Sequence, residues 1–240
     1  MKLQELKEKI HDLRLKAAGA PTVHCLGDSH LMVFEYIAKE GLLKHTRLQF
    51  CIVQGATAMG IPNPASKTQA GPIFNEYLKK VPLNDYILTC LGEVDCGFVI
   101  WYRSKKYDEP VEKQFDLAIS NYTNFLSSLM SEGRKNIIIC SAPLPTIKDG
   151  QTWGEIASMR NEVDATLRQR TDMTLDFNER IRDFSRRNGL VCIDIEQEIM
   201  NQDTMLINDK FLNPDMLDHH LHPPLFAEVI LQELRRKGFS

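Results

Sequence analysis

The chain has 240 residues, 43% of them hydrophobic and 25% charged, the make-up of an ordinary globular protein of a size that one core can hold together. Its 29 basic and 32 acidic residues leave a net charge of -3 with no run of one sign, so a nucleic-acid partner is not expected. No stretch approaches the roughly 20 apolar residues of a membrane span, and residues 1–16 interleave Lys and Glu where a signal peptide needs an apolar region. A cytoplasmic protein with no membrane association is therefore expected.

Leu3, Leu6, Ile10, Leu13 and Ala17 recur at 3-4-3-4 spacing, which predicts an amphipathic helix within residues 1–20. It either packs on its own domain or mediates a dimer, and the oligomeric state stays open. Residues 21–240 read as one domain. A β-rich run, 22–26, stops at Gly27-Asp28-Ser29-His30, and 31–39 reads as a helix. Such a strand-turn-helix corner presents a side chain at the carboxyl end of a parallel strand, where open α/β sheets bind ligands. Ser29 there is a candidate nucleophile, although Asp28 or Ser29 would equally suit a helix cap.

A second strand, 47–53, ends in Gln54-Gly55-Ala56-Thr57, and Gly55 permits close backbone approach. After a short helix, 73–80, the strand 85–91 ends in Gly92-Glu93-Val94-Asp95. Residues 98–108 lack a clean period and read as a loop near the sheet edge, whose Trp101, Tyr102 and Arg103 would line a pocket. A helix starting after Pro110 carries Val111, Phe115, Ile119, Tyr122, Leu126 and Leu129 on one face and stops at Gly133. The fourth strand is 136–140. A polar insertion near 146–170, partly helical from Trp153 onward, would form a lid. A helix opens at Thr171 and closes at Arg186-Arg187-Asn188-Gly189, followed by strand five, 190–195. Residues 196–217 read as irregular, and His222-Pro223-Pro224 precedes a closing amphipathic helix. Five of the cysteines, Cys25, Cys51, Cys90, Cys140 and Cys192, fall inside these strands without Cys-x-x-Cys spacing, which reads as reduced core packing.

Strands alternating with helices predict a parallel sheet covered on both faces, a three-layer α/β/α sandwich. The turns of such a sheet crowd one edge, so Ser29, Gly55 and Glu93 to Asp95 should converge.

Taken in order, Gly27-Asp28-Ser29, Gly55, Gly92-x-x-Asp95 and the cluster Asp218-His219-His220-Leu221-His222 resemble the SGNH, or GDSL-type, hydrolases over roughly residues 23–234. The resemblance implies a flavodoxin-like five-stranded sheet of order 2-1-3-4-5 and hydrolysis of an ester through a serine. Ser29 would be the nucleophile, its backbone N–H and that of Gly55 the oxyanion hole. Asp218 and a nearby histidine would complete the triad. His220 matches the family's His-Leu-x-Pro continuation, with His222 as the alternative base. Asp28, His30, Glu93, Asp95, Trp101 and Arg103 are candidate substrate contacts. Val94 stands where the family places an oxyanion-binding Asn, which implies a replaced donor, slow turnover or lost activity. Gly-Glu-x-Asp in that block resembles a branch of the superfamily. No cofactor or metal is expected.

The expected substrate is a small polar ester, such as an O-acetylated sugar or metabolite. The same serine chemistry would serve an acyltransferase. Asp28-x-His30, Asp95 and the histidine cluster also have the residue types of a two-metal phosphoesterase, but the chain has no Gly-Asn-His block between strand three and the insertion. Val94 leaves a catalytically lapsed binding module as the remaining alternative.

Overall fold

A computed structural model describes residues 3–151 and 163–240. Its strands are β1 (Thr22–Gly27), β2 (Arg47–Ile52), β3 (Tyr86–Cys90), β4 (Ile137–Cys140) and β5 (Val191–Ile193). They form one parallel sheet in the order β2-β1-β3-β4-β5, as the resemblance implied. Cys25 of β1 lies opposite Phe50 of β2 and Leu88 of β3, and Thr89 of β3 lies opposite Ile139 of β4.

Because successive side chains of a strand point to opposite faces, each central strand feeds two cores. On one face Val23, Cys25, Leu88, Ile138 and Ile193 pack with Phe34 and Ile37 of α2 (Met32–Lys39) and with Ile230 and Leu234 of the last helix, Pro223–Arg236. On the other, Leu26, Ile87, Ile137 and Ile139 meet Phe74 of α3 (Ala70–Leu78) and the long helices Val111–Ser131 and Leu167–Arg187 through Tyr122, Leu126, Phe177 and Ile181. The apolar runs that made these strands legible are buried on both sides, as parallel sheets require. All the strand cysteines are free thiols, and all but the half-buried Cys192 are buried.

The N-terminal helix α1 (Leu3–Ala17) lies against the edge strand β2. Asp12 accepts from Arg47 Nε at 2.6 Å and Nη2 at 3.0 Å, and from Gln49 Nε2 at 3.1 Å. Ile10 and Leu13 remain exposed.

Three expectations change. Residues 98–108, expected as a loop, are largely helical: a π-helical turn, Asp95–Val99, runs into α4 (Ile100–Tyr107). Trp101 Nε1 donates to Cys96 O at 2.7 Å across that turn, and the wide turn explains the missing 3.6-residue period. The helix expected at Thr171 begins at Leu167, because Thr166 and Gln169 form a reciprocal capping box. This helix is α6, following α5 (Val111–Ser131). The polar insertion therefore ends sooner than 146–170, and its expected helical part from Trp153 lies outside the described residues. Finally, the irregular stretch contains a short helix α7 (Glu196–Ile199) and an antiparallel pair, β6 (Met200–Asn201) with β7 (Leu206–Ile207). The closing helix Pro223–Arg236 is α8, with Pro at its first position.

Two contacts fix the carboxyl edge. Asn178 of α6 clamps Ala142, accepting from its N–H at 2.8 Å and donating to its carbonyl at 2.9 Å. At the end of β1, a Cβ on Gly27 would fall 2.1 Å from Cys90 O, so only glycine lets β1 and β3 approach where the Asp28-Ser29-His30 turn begins.

Candidate active site

The turn after β1 is organised by Asp28. This carboxylate is buried and accepts from the backbone N–H of His30 at 2.8 Å and from His30 Nδ1 at 3.0 Å. Ser29 opens a 3-10 turn, Ser29–Leu31, which leads into α2. Asp28 is thus both the cap that sequence reasoning allowed and the holder of His30. The far nitrogen of His30, Nε2, lies 3.6 Å from Glu93 Oε2, so Glu93 faces the turn from the end of β3.

The segment before α8 repeats the same local geometry. Asp218 Oδ1 accepts from the backbone N–H of His220 at 2.9 Å and from His220 Nδ1 at 2.6 Å, while Asp218 Oδ2 accepts from Asn213 Nδ2 at 2.9 Å. A carboxylate only accepts, so Nδ1 carries the proton and Nε2 is left with a lone pair. That Nε2 is buried without a hydrogen-bond partner. Burial, reinforced by the nearby His30, holds the imidazole below its usual pKa against the opposing pull of Asp218. Burial alone would raise Asp218, but the N–H and ring of His220 bring it below the usual carboxylate range.

Ser29, His30, Asp218 and His220 share the wall of a cavity of about 40 Å³, with Met32, Val33, Leu221, Pro223 and Phe226 as its apolar part. A cavity of about 210 Å³ adjoins it on the Asp218 and His219 side, lined also by Thr146, Lys148, Gln151, Asn213 and Met216. A larger hollow of about 680 Å³ lies between α1, α2 and β2, away from Ser29. His222, the alternative base, caps α8 with its backbone, donating from N to Phe211 O at 2.8 Å and accepting from Phe226 N at 3.0 Å. Its Nδ1 is buried without a partner, and it is absent from the wall of the Ser29 cavity.

Other candidates are placed differently from what the sequence suggested. Asp95, read as a possible substrate contact, is fully buried. Its oxygens accept from the N–H groups of Ala58 at 2.8 Å and Met59 at 3.0 Å. It thereby holds the turn after β2, which contains Gly55 at φ 68°, a left-handed conformation that glycine adopts without penalty. Burial outweighs the two donors and pushes the Asp95 carboxyl up to about 7. Trp101 and Arg103 are likewise taken up by their own surroundings. Trp101 spends its N–H on Cys96 O, and Arg103 donates to Gln114 Oε1 at 2.8 Å while lying 4.9 Å over the Tyr107 ring. Neither lines the Ser29 cavity. Val94 is half-buried at the start of the π-helical turn.

Sequence reasoning missed Asn213, whose bond to Asp218 comes from a stretch read as irregular. It also passed over the fact that Asp218-x-His220 repeats the spacing of Asp28-x-His30, because Asp218 was weighed only as the partner of a nearby histidine in the triad.

No protein-family model matches the chain, and no curated protein sequence matches it. Solved structures do. A GDSL-like lipase from Bacteroides thetaiotaomicron VPI-5482 superposes with a TM-score of 0.53 at 12% identity, over 96% of this chain and 98% of that one. A lipase/acylhydrolase from Enterococcus faecalis gives 0.50 at 15% identity, over 92% and 97%. The acetyl xylan esterase AlAXEase gives 0.50 at 13% identity, over 90% and 99%. Sheet order, layer arrangement and these whole-length superpositions together show that the chain shares the fold of these GDSL-like lipases and esterases.

Proposed function

We propose that the chain is a serine-dependent carboxylic ester hydrolase. One observation carries the reading: His220, tied to Asp218 at 2.6 Å, keeps an unpartnered Nε2 in the wall of the cavity that Ser29 also lines. Asp218 orients His220 as the base of an activated serine must be oriented. His220 Nε2 makes no hydrogen bond to Ser29 here, a contact that in substrate-free enzymes often tightens only in the substrate complex.

The proposed chemistry runs as an acyl transfer through the serine. Ser29 Oγ attacks the ester carbonyl while His220 Nε2 takes its proton, then returns it to the leaving alcohol. Asp218 keeps the proton of Nδ1 in place and stabilises the imidazolium. The N–H groups of Ser29 and Gly55 would receive the oxyanion, and Asp95 acts one step back by fixing the Gly55 turn. Water then attacks the acyl-serine with His220 again as base. An acceptor alcohol in place of water would make the same chain an acyltransferase.

The two cavities support the expected substrate class. A space of about 40 Å³ beside Ser29, with Met32, Val33, Leu221 and Phe226, suits a small acyl group such as acetyl. The adjoining 210 Å³ with Thr146, Lys148, Gln151 and Asn213 suits a polar alcohol such as a sugar. An acetyl xylan esterase among the similar folds is consistent with this choice.

The test is labelling with a fluorophosphonate together with hydrolysis of an activated acetyl ester. Label on Ser29 and loss of both signals in a folded Ser29→Ala variant are expected. An active Ser29→Ala protein would refute the serine mechanism.

A further inference from the structure

We propose that His30, His219 and His220 form a site for one divalent cation of the Zn²⁺ class, and that filling it silences the serine chemistry by taking the Nε2 lone pair of His220. The inhibitory consequence rests on the serine hydrolase reading, whereas the metal site itself does not.

The two Asp-x-His units are the starting point. In each, the histidine's Nδ1 is tied to the carboxylate two residues before it, at 3.0 Å for His30 and 2.6 Å for His220. A carboxylate behind Nδ1 orients the ring and raises the basicity of Nε2, the nitrogen that would ligate. This backing is characteristic of metal-bound histidines. His220 Nε2 is buried without a partner, whereas His30 Nε2 would exchange its contact with Glu93 for the metal. The strand order then brings the units together. The rings of His30 and His220 are 5.0 Å apart, His219 stands 4.2 Å from His220 and 5.7 Å from His30, and one ligand atom from each of the three lies within 4.8 Å of the others.

Tetrahedral zinc with Zn–N of about 2.0 to 2.1 Å sets nitrogen to nitrogen distances of about 3.4 Å. The set must therefore contract by at most about 1.4 Å from its 4.8 Å limit. Side-chain rotation supplies such a movement, since His219 is only half-buried and lies between elements. His220 Nε2 is already buried without a partner, so coordination satisfies a polar atom that otherwise costs free energy. The surrounding charge is favourable as well. Asp28 and Asp218 stand behind two of the rings, and Glu93 Oε2, 3.6 Å from His30 Nε2, supplies a third carboxylate. Three imidazoles select a transition-series dication over Mg²⁺ or Ca²⁺, which require oxygen ligands. A nitrogen bound to metal cannot take the proton of Ser29, so metal and serine chemistry exclude one another.

The metal-stripped full-length chain should be titrated with Zn²⁺ alone by calorimetry and with Co²⁺ by visible absorption. One equivalent bound, with the ligand-field bands of tetrahedral Co²⁺, is expected. His219→Ala and Asp28→Asn, their folding checked by circular dichroism, should each weaken binding by roughly 10- to 100-fold or more. In the wild type, Zn²⁺ should suppress acetyl ester hydrolysis, a chelator should restore it, and His219→Ala should require at least about tenfold more Zn²⁺ for the same suppression. No saturable binding, or binding indifferent to His219→Ala, overturns the site. Metal bound without loss of activity, or activity raised by metal, overturns its inhibitory role. An inert protein that nonetheless gives the Co²⁺ spectrum overturns the ester hydrolase reading and leaves the metal site standing.

Discussion

Replacing Asp95 by Asn separates two opposing costs that the structure puts on one side chain. The carboxylate satisfies the buried N–H groups of Ala58 and Met59. Asn has one acceptor oxygen, and its NH₂ must face one of those donors, which leaves a buried N–H unmatched at a cost of about 1–3 kcal/mol. Against this, burial raises the Asp95 carboxyl from 3.8 to about 7. The raised value means that its contribution to stability is complete below pH 3.8 and is lost as pH rises through about 7. Between pH 5 and pH 8 that loss amounts to about 3 kcal/mol, and Asn, which does not titrate, escapes it. Urea unfolding of both proteins at the two pH values isolates the effect, because every other titrating group is common to them. Asp95→Asn should be the less stable protein at pH 5, and the gap should close or reverse by pH 8. Its kcat should also fall more than its KM changes, since the Gly55 turn loses an anchor. A stability difference that does not move with pH would refute the assignment of a raised carboxyl to Asp95.

Other variants test other parts of the site. His220→Ala should lower the rate of acetyl ester hydrolysis by about 10²- to 10⁴-fold, the usual worth of a general base, while His222→Ala costs little; the reverse ranking in steady-state kinetics would move the base to His222. Val94→Asn should raise kcat by up to about 100-fold with KM unchanged if an oxyanion donor is missing. No gain, coupled with a large loss in Glu93→Gln, would instead make Glu93 the group that handles the substrate. Gly27→Ala should destabilise the fold by at least about 1–3 kcal/mol in denaturant unfolding, because its Cβ would lie 2.1 Å from Cys90 O; a neutral result would mean that β1 and β3 separate at little cost.

The order of the elements, the sheet's parallel character and the turn that carries Ser29 were legible in the chain itself. Thr22–Gly27 and Tyr86–Cys90 are short apolar runs closed by glycine turns, and a strand buried on both faces announces itself that way, whereas the half-buried edge strand Arg47–Ile52 was marked by the glycine turn that follows it. The amphipathic stripe from Phe115 to Leu129 and the basic, glycine-terminated end of α6 were equally local signals. The helical character of residues 98–108 was not, because a π-helical turn breaks the period that pattern reading depends on. Neither was the role of Asp95. Two acidic residues near a strand end look alike in sequence, and only the packing of the β2 turn against the end of β3 decides that Asp95 is sealed beneath Ala58 and Met59 while Glu93 faces His30. Which ring meets Asp218 followed the same rule, since His220 and His222 both stand near it in the chain and only the bend before α8 turns the His220 ring onto the carboxylate. The meeting of His30 with His219 and His220 is the most distant case: the chain's two ends reach one sheet edge because β1 and β3 are neighbours and α8 packs beside α2. Local sequence encodes each Asp-x-His turn, whereas their convergence is a property of the crossover connections that no segment contains.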